Sequence, residues 1–256
     1  MKKGQVALFM LLGIILFLIS IVAFQVLRTQ HLSAERSPSA APVQNFIEAC
    51  IAQVGADAII STGMRGGYYH QPPAFTRGLL PNTAIYLDEG QQYVPTLQDW
   101  ETALADYMDA NLQNCVENNT FAEQGLVLSF EQPKSVTSIG ENEVHWRVQL
   151  PVTITQGRTT LRIKEFSATV HDIRLVHIHA VSTALVDANQ QHPEAICLSC
   201  MVDLGSEVGM GVRADRMYNR TFLITINDPE SKIGRSAYQF VFGITLTEQA
   251  EGETDA

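Results

Sequence analysis

The sequence predicts an α+β domain carried behind one N-terminal membrane helix. Three observations predict it: a 22-residue run without charge near the start, two stretches of helical apolar spacing after it, and a switch to strict alternation in the middle of the chain. The expected order is membrane helix, a two-helix preface around a small hairpin, a largely antiparallel sheet of about five strands, and two further helices before the last hairpin.

The uncharged run is VALFMLLGIILFLISIVAFQVL, from Val6 to Leu27, with Gln25 as its one strongly polar residue. A bilayer core offers backbone groups no partners, so a run of this length reads as a spanning helix. Lys2 and Lys3 precede it and Arg28 follows, which by the positive-inside bias leaves residues 1–5 as a cytoplasmic stub. The bulk of the chain then lies outside the cell, in the oxidising compartment. Residues 28–42, containing Pro38 and Pro42, read as a short polar stalk, and residues 43–247 as the extracytoplasmic domain.

Val43, Phe46, Ile47, Cys50, Ile51, Val54 and Ala58 recur at spacings of three and four, with Pro42 placed to open a helix and Gly63 to close it. A second helix begins at Thr96, where Thr-Leu-Gln-Asp is a capping-box variant, and aligns Leu97, Trp100, Leu104, Met108, Leu112 and Cys115. Between them the segment IYLDEGQQYV predicts a hairpin turning at Asp88-Glu89-Gly90.

Val144, Trp146, Val148, Leu150, Val152 and Ile154 alternate without a miss, predicting a long half-buried strand. Leu126 to Phe130 precede it as a strand and Leu161 to Val170 follow it. The apolar phase slips between Ile163 and Phe166, which predicts a bulge. Helical spacing returns at Ile178, Val181 and Leu185, and a short helix is expected from Glu194 across Cys-Leu-Ser-Cys. The closing hairpin pairs Thr221 to Ile226 with Tyr238 to Leu246. The tail 248–256 is acidic and predicts disorder.

Charge limits the partners. The chain has 17 Lys and Arg against 27 Asp and Glu; without Lys2 and Lys3 the balance is 15 against 27, or −12. Nucleic acid is therefore excluded as a partner, because phosphate neutralisation needs a basic face. The expected partners are the bilayer, met through the N-terminal helix, and an envelope protein or a second copy of the chain.

The strings KKGQVALF, VQNFIEAC, GGYY, NLQNC, ICLSC and YQFVF together resemble uncharacterised single-span, membrane-anchored envelope proteins of small-genome archaea. The resemblance implies an external location and carries no established activity. Lys-Lys-Gly-Gln ahead of an apolar helix is also similar to the class III leaders of archaeal type IV pilin-like proteins, which implies cleavage after Gly4 and a mature chain starting at Gln5. Such leaders generally carry a Glu five residues beyond the cut, where this chain has Phe9.

Cysteine is the most informative chemistry. Cys50, Cys115, Cys197 and Cys200 all fall on the external side, where disulfides persist, and four cysteines allow three pairings. Cys50 and Cys115 lie on the apolar stripes of two helices that must pack together, so a bridge stapling the preface is expected, leaving Cys197 and Cys200 as a local pair. A Cys-x-x-Cys sequence is also the signature of thiol-disulfide exchange. That chemistry usually follows a buried strand, whereas His192-Pro193-Glu194 and a predicted helix precede this pair. A zinc site would need two further ligands, and only His192 is near in sequence.

The remaining candidates read as structural. His177 and His179, two apart on a helix, face different ways. Asp106 and Asp109 form a polar helix face, and Tyr68 and Tyr69 are a packing or contact pair. Asn118-Asn119-Thr120 and Asn219-Arg220-Thr221 are glycosylation sequons, with Asn118 and Asn219 as acceptors. No catalytic residue, cofactor or metal site is assigned. The sequence thus points to a non-enzymatic envelope protein with a structural, assembly or binding role. Its alternatives are a tethered thiol-disulfide oxidoreductase using Cys197 and Cys200, and a pilin-like subunit cleaved after Gly4.

Overall fold

The computed structural model describes residues 40–76, 82–119, 121–218 and 220–247. The expected stub, spanning helix, Gly4–Gln5 junction, first twelve stalk residues, Asn219 and acidic tail lie outside the described residues. Within them the chain forms four α-helices, α1 (Ala40–Gly63), α2 (Leu97–Glu117), α3 (Leu175–Gln190) and α4 (Leu198–Glu207). Nine strands accompany them: β1 (Ile85–Asp88), β2 (Gln91–Gln92), β3 (Val127–Phe130), β4 (Lys134–Ile139), β5 (Glu143–Gln156), β6 (Thr159–His171), β7 (Gly211–Arg216), β8 (Thr221–Ile233) and β9 (Ser236–Thr245).

The mixed α+β class stands, and its strands are divided between two sheets. The smaller sheet is antiparallel and centred on β5, which pairs with β6 along one edge and with β4 and then β3 along the other. The larger, five-stranded sheet runs β2-β1-β9-β8-β7, with β1 and β9 parallel and the other neighbours antiparallel.

Helix α1 begins at Ala40, so the last three residues of the expected stalk form its first turn, where Pro42 has no intrahelical bond to break. Its buried positions include Val43, Ile47, Cys50, Ile51, Val54, Ala58 and Ile59. Among the described residues α1 alone is long and apolar enough to cross a membrane, and half of its most apolar window is buried within the domain. It serves as a core helix. Trp146 of β5, fully buried, lies directly on it: a Cβ at Gly55 would sit 2.9 Å from the indole ring. Glycine is what lets helix and sheet approach this closely.

At Thr96 the capping box is complete, with Asp99 N–H donating to the threonine Oγ1 at 3.2 Å and Thr96 N–H donating back to the Asp99 carboxylate at 2.8 Å. Trp100, Leu104, Met108, Leu112 and Val116 are the buried side of α2. Trp100 meets Phe240 of β9 at 4.8 Å between ring centroids, and Tyr86 of β1 stacks on Phe242 at 4.6 Å, so the core is continuous beneath both sheets. The β1–β2 hairpin turns through Glu89 and Gly90, both at positive φ, as a two-residue connection of right-twisted strands requires.

Three elements differ from the sequence reading. Strand β4 was not expected, because its pattern is inverted: Ser135 and Thr137 are buried while Val136 is 67% exposed, so apolar periodicity points the wrong way. Polar edge strand β7 was missed for a related reason, having no fully buried residue. The helix expected from Glu194 starts only at Leu198, with Cys197 as its N-cap. The phase slip in β6 has its counterpart in β5, where Leu150 and Pro151 together oppose Lys164, and β8 runs on past Ile226 to Ile233 across a second bulge at Asp228–Lys232.

Candidate functional site: the Cys197–Cys200 turn

Residues between α3 and α4 make a tight turn that presents the second cysteine pair. Asn189, fully buried in the last turn of α3, donates its amide to Leu185 O at 2.7 Å and accepts Cys197 N–H at 3.0 Å. Cys197 then caps α4, its Sγ accepting Cys200 N–H at 3.3 Å. The two cysteines are joined in a disulfide, with Cα atoms 5.3 Å apart. The bridge is half-buried. Leu198 and Val202, one helical turn apart, flank it at 66% and 69% exposure.

A thiolate at this position would face the backbone N–H groups of the first turn, which favours the charged form. The setting differs from a redox fold in what comes before: helix α3, not a buried strand, leads into the turn.

The other pair, Cys50 and Cys115, is bridged between α1 and α2 with Cα atoms 5.8 Å apart. Cys50 is buried and Cys115 half-buried, so this bond is part of the helix-helix contact. Among the described residues no cysteine is free and no group of three or more His, Cys, Asp or Glu is arranged to hold a metal ion.

The remaining sequence candidates separate in space. His179 donates its Nε2–H to Pro95 O at 2.8 Å and meets Trp100 edge-on at 5.1 Å, whereas His177 Nδ1 is buried without a partner among the described residues. Asp106 pairs with His70 at 3.1 Å. Asp109 accepts Ser135 Oγ–H at 2.5 Å, and burial holds its carboxyl above the ordinary value despite that hydrogen bond. Tyr68 donates to Tyr93 O at 3.4 Å; burial, then the nearby Asp99 charge, raises its phenol. Tyr69 packs against the rings of Tyr107 and His70. Asn118 is exposed at the C-cap of α2, and the rest of its sequon extends to Thr120, outside the described residues.

Sequence reasoning missed two groups. The first is Asn189, whose only sequence signal is an Asn eight residues before a cysteine. The second is a buried ion network. Arg174 donates through Nε to Asp228 at 3.0 Å and through Nη2 to its other oxygen, while Nη1 reaches Glu230 at 2.7 Å. Ser231 donates to Asp228 at 2.5 Å and accepts Arg174 N–H at 2.9 Å. Burial alone would raise the Asp228 carboxyl, but the hydrogen bonds from Arg174, Ser231 and Glu230 N–H outweigh it and hold it below the ordinary value. The network clamps the start of α3 onto the β8 bulge. The strand expected from Thr221 ends at Ile226, two residues short of Asp228, so nothing local marks the network.

No protein family, curated protein or solved structure matches the chain.

Proposed function

We propose that the chain is a membrane-tethered extracytoplasmic protein whose folded domain serves a structural, assembly or binding role. The observation that carries this reading is the Cys50–Cys115 bridge: a disulfide built into the packing of α1 and α2 belongs to an oxidising compartment. The uncharged run Val6–Leu27 ahead of the domain supplies the tether. The buried carboxylate among the described residues, Asp228, is tied to the half-buried Arg174, which supports a structural use of charge. Protease added to intact cells is expected to cut the chain beyond Arg28. Complete protection until lysis would reverse the orientation. The absent Glu at Phe9 supports a mature chain that keeps Gly4; N-terminal sequencing that starts at Gln5 would shift the reading to a pilin-like subunit.

A second reading is favoured by the turn at α4. There Cys197 and Cys200, at a helix N-terminus between exposed Leu198 and Val202, have the setting of a thiol-disulfide exchange pair. In that reaction a substrate thiolate attacks one sulfur and expels the other as thiolate. The second substrate thiol then resolves the mixed disulfide, leaving the substrate oxidised and Cys197/Cys200 as a dithiol. Stoichiometric oxidation of a reduced dithiol peptide by the full chain, abolished in Cys197→Ala, is the expected result; no oxidation removes this reading.

A further inference from the structure

Helices α1 and α2 run antiparallel, and above the Cys50–Cys115 bridge their facing surfaces leave a groove of about 420 Å³. That size lies within the range of small-ligand sites. From α2 it is lined by Tyr107, Asn111, Asn114 and Asn118, at successive spacings of four, three and four; from α1 come Gln53 and Asp57. The α2 stripe is about 16 Å long at 1.5 Å rise per residue, and the polar pair on α1 faces its middle along about 6 Å. Phe46, set edge-on against Phe121 at 5.4 Å, closes the end beside Asn118, and Tyr107 forms the other end.

The composition of the stripes is unusual for a solvated helix face. Such faces normally carry Lys, Glu and Arg, which are good helix formers and pair at spacings of four. Here the stripe is primary amide, and Asn is among the poorer helix formers. Asn111 anchors its amide N–H to Tyr107 O at 2.8 Å, which leaves its carbonyl oxygen turned to ligand or water. The side chains of Gln53, Asn114 and Asn118 are exposed and make no hydrogen bond within the described part of the domain, so their amides are free to meet a ligand in place of water. The floor beneath is fixed by the disulfide and the buried Val54.

Chemistry selects the ligand class. Each amide offers both donors and an acceptor, the complement of a hydroxyl that is itself donor and acceptor. The lining has no Lys or Arg, so an anion finds no counter-charge, and its single carboxylate, Asp57, is a hydrogen-bond acceptor for hydroxyls. Aromatic rings at both ends provide flat apolar surfaces for the C–H face of a sugar ring. We infer that the α1–α2 groove is a binding site for a short neutral glycan, held by Gln53, Asp57, Asn111 and Asn114 between Phe46 and Tyr107.

Two sources can supply that chemistry. Asn118 heads a sequon at one end of the groove, so a glycan attached there lies within reach of the stripe; alternatively the glycan belongs to another envelope molecule. The inference rests on the extracytoplasmic reading only for how the site meets glycans, and the binding measurement does not depend on it.

The test uses the full chain in lipid nanodiscs, since sugar-headed detergents would compete. Cellobiose, maltose, mannobiose and chitobiose are titrated by saturation-transfer NMR and calorimetry into the native chain and into Thr120→Ala, which removes the sequon without touching the groove lining. Mass spectrometry reports any glycan on Asn118. Binding of a panel sugar to both forms assigns the site to a partner's glycan. Binding to Thr120→Ala alone, with a glycan found on the native chain, assigns it to the chain's own. In either case Gln53→Ala and Asn114→Ala should each weaken binding roughly fivefold, the loss of one neutral hydrogen bond, with unchanged melting temperature. Binding by neither form, or undiminished binding in both alanine variants, overturns the inference whatever the protease experiment says about placement.

Discussion

Replacing both Cys50 and Cys115 by Ala removes the one covalent link between the two helices of the preface. The bridged residues are 65 apart in sequence. In the chain-entropy account a closed loop of this length restricts the unfolded chain by about 4 kcal/mol at 25 °C, a model-dependent figure. Cys197 and Cys200 are separated by 3. The same expression gives about 1.5 kcal/mol there, so the first pair should matter more by roughly 2 to 3 kcal/mol. For a domain near 200 residues, each kcal/mol moves the midpoint by about 2 to 4 °C, so loss of the Cys50–Cys115 bridge should lower it by roughly 8 to 16 °C. Thermal unfolding of the full chain in nanodiscs, followed by circular dichroism, makes the comparison. Reductant opens both bridges, so it should lower the wild-type midpoint by more than the Cys50/Cys115 double variant does and lower that variant by only about 3 to 6 °C further. The reasoning fails if the Cys197/Cys200 double variant melts lower than the Cys50/Cys115 one. Peptide mapping that joins Cys50 to either Cys197 or Cys200 would refute it as well.

Three further outcomes follow from the geometry. Asp228→Ala leaves the Arg174 guanidinium, 14% exposed, without its main partner and should cost about 3 to 5 kcal/mol by denaturant titration; a cost under 1 kcal/mol would mean that the clamp is redundant. Because the folded-state Asp228 carboxyl lies below its ordinary 3.8 and that of Asp109 above it, their pH signatures oppose. Asp228 contributes stability above pH 3.8 that is lost as pH falls through its lower folded value. The Asp109 contribution is present below 3.8 and lost as pH rises through its higher folded value. Asp109→Asn should therefore unfold at higher denaturant than wild type at pH 7 and lose that advantage near pH 3; a lower midpoint at pH 7 would show that the Ser135 bond depends on the charge. Gly55→Ala places a methyl 2.9 Å from the Trp146 ring and should destabilise by about 1 to 3 kcal/mol, visible as a lower melting temperature; an unchanged midpoint would mean that the helix shifts freely on β5.

Much of this domain is encoded locally. The boundaries of α2 follow from Thr96 and Asp99, which satisfy each other's backbone groups within one turn. The alternation of β5 from Val144 to Ile154 marks one buried face regardless of what covers it. The β1–β2 turn follows from Glu-Gly at two positive-φ positions. Amphipathic stripes on α1 and α2 even indicate the cysteine pairing, since two apolar helix faces must meet. Each of these depends on neighbours within a few residues or on a periodicity that any apolar partner would satisfy.

Long-range contacts decided the rest. Which strands share a sheet, the parallel contact of β1 with β9, and the reversal of β4 that buries Ser135 and Thr137, with Ser135 on Asp109, all depend on segments remote in sequence. The Arg174–Asp228 clamp joins residues 54 apart, and neither bears a local mark of burial. The amide stripe of α2 reads in sequence as an ordinary polar helix face, and Gln53 and Asp57 as another. They line one groove because burying Cys50 against Cys115 sets the two helices antiparallel at a fixed register. Sequence alone determines which faces of these helices must be covered and which compartment the cysteines suit, because burial periodicity and charge are properties of the chain itself. What gathers on the uncovered faces is a matter of relative position, which only the packed tertiary structure supplies.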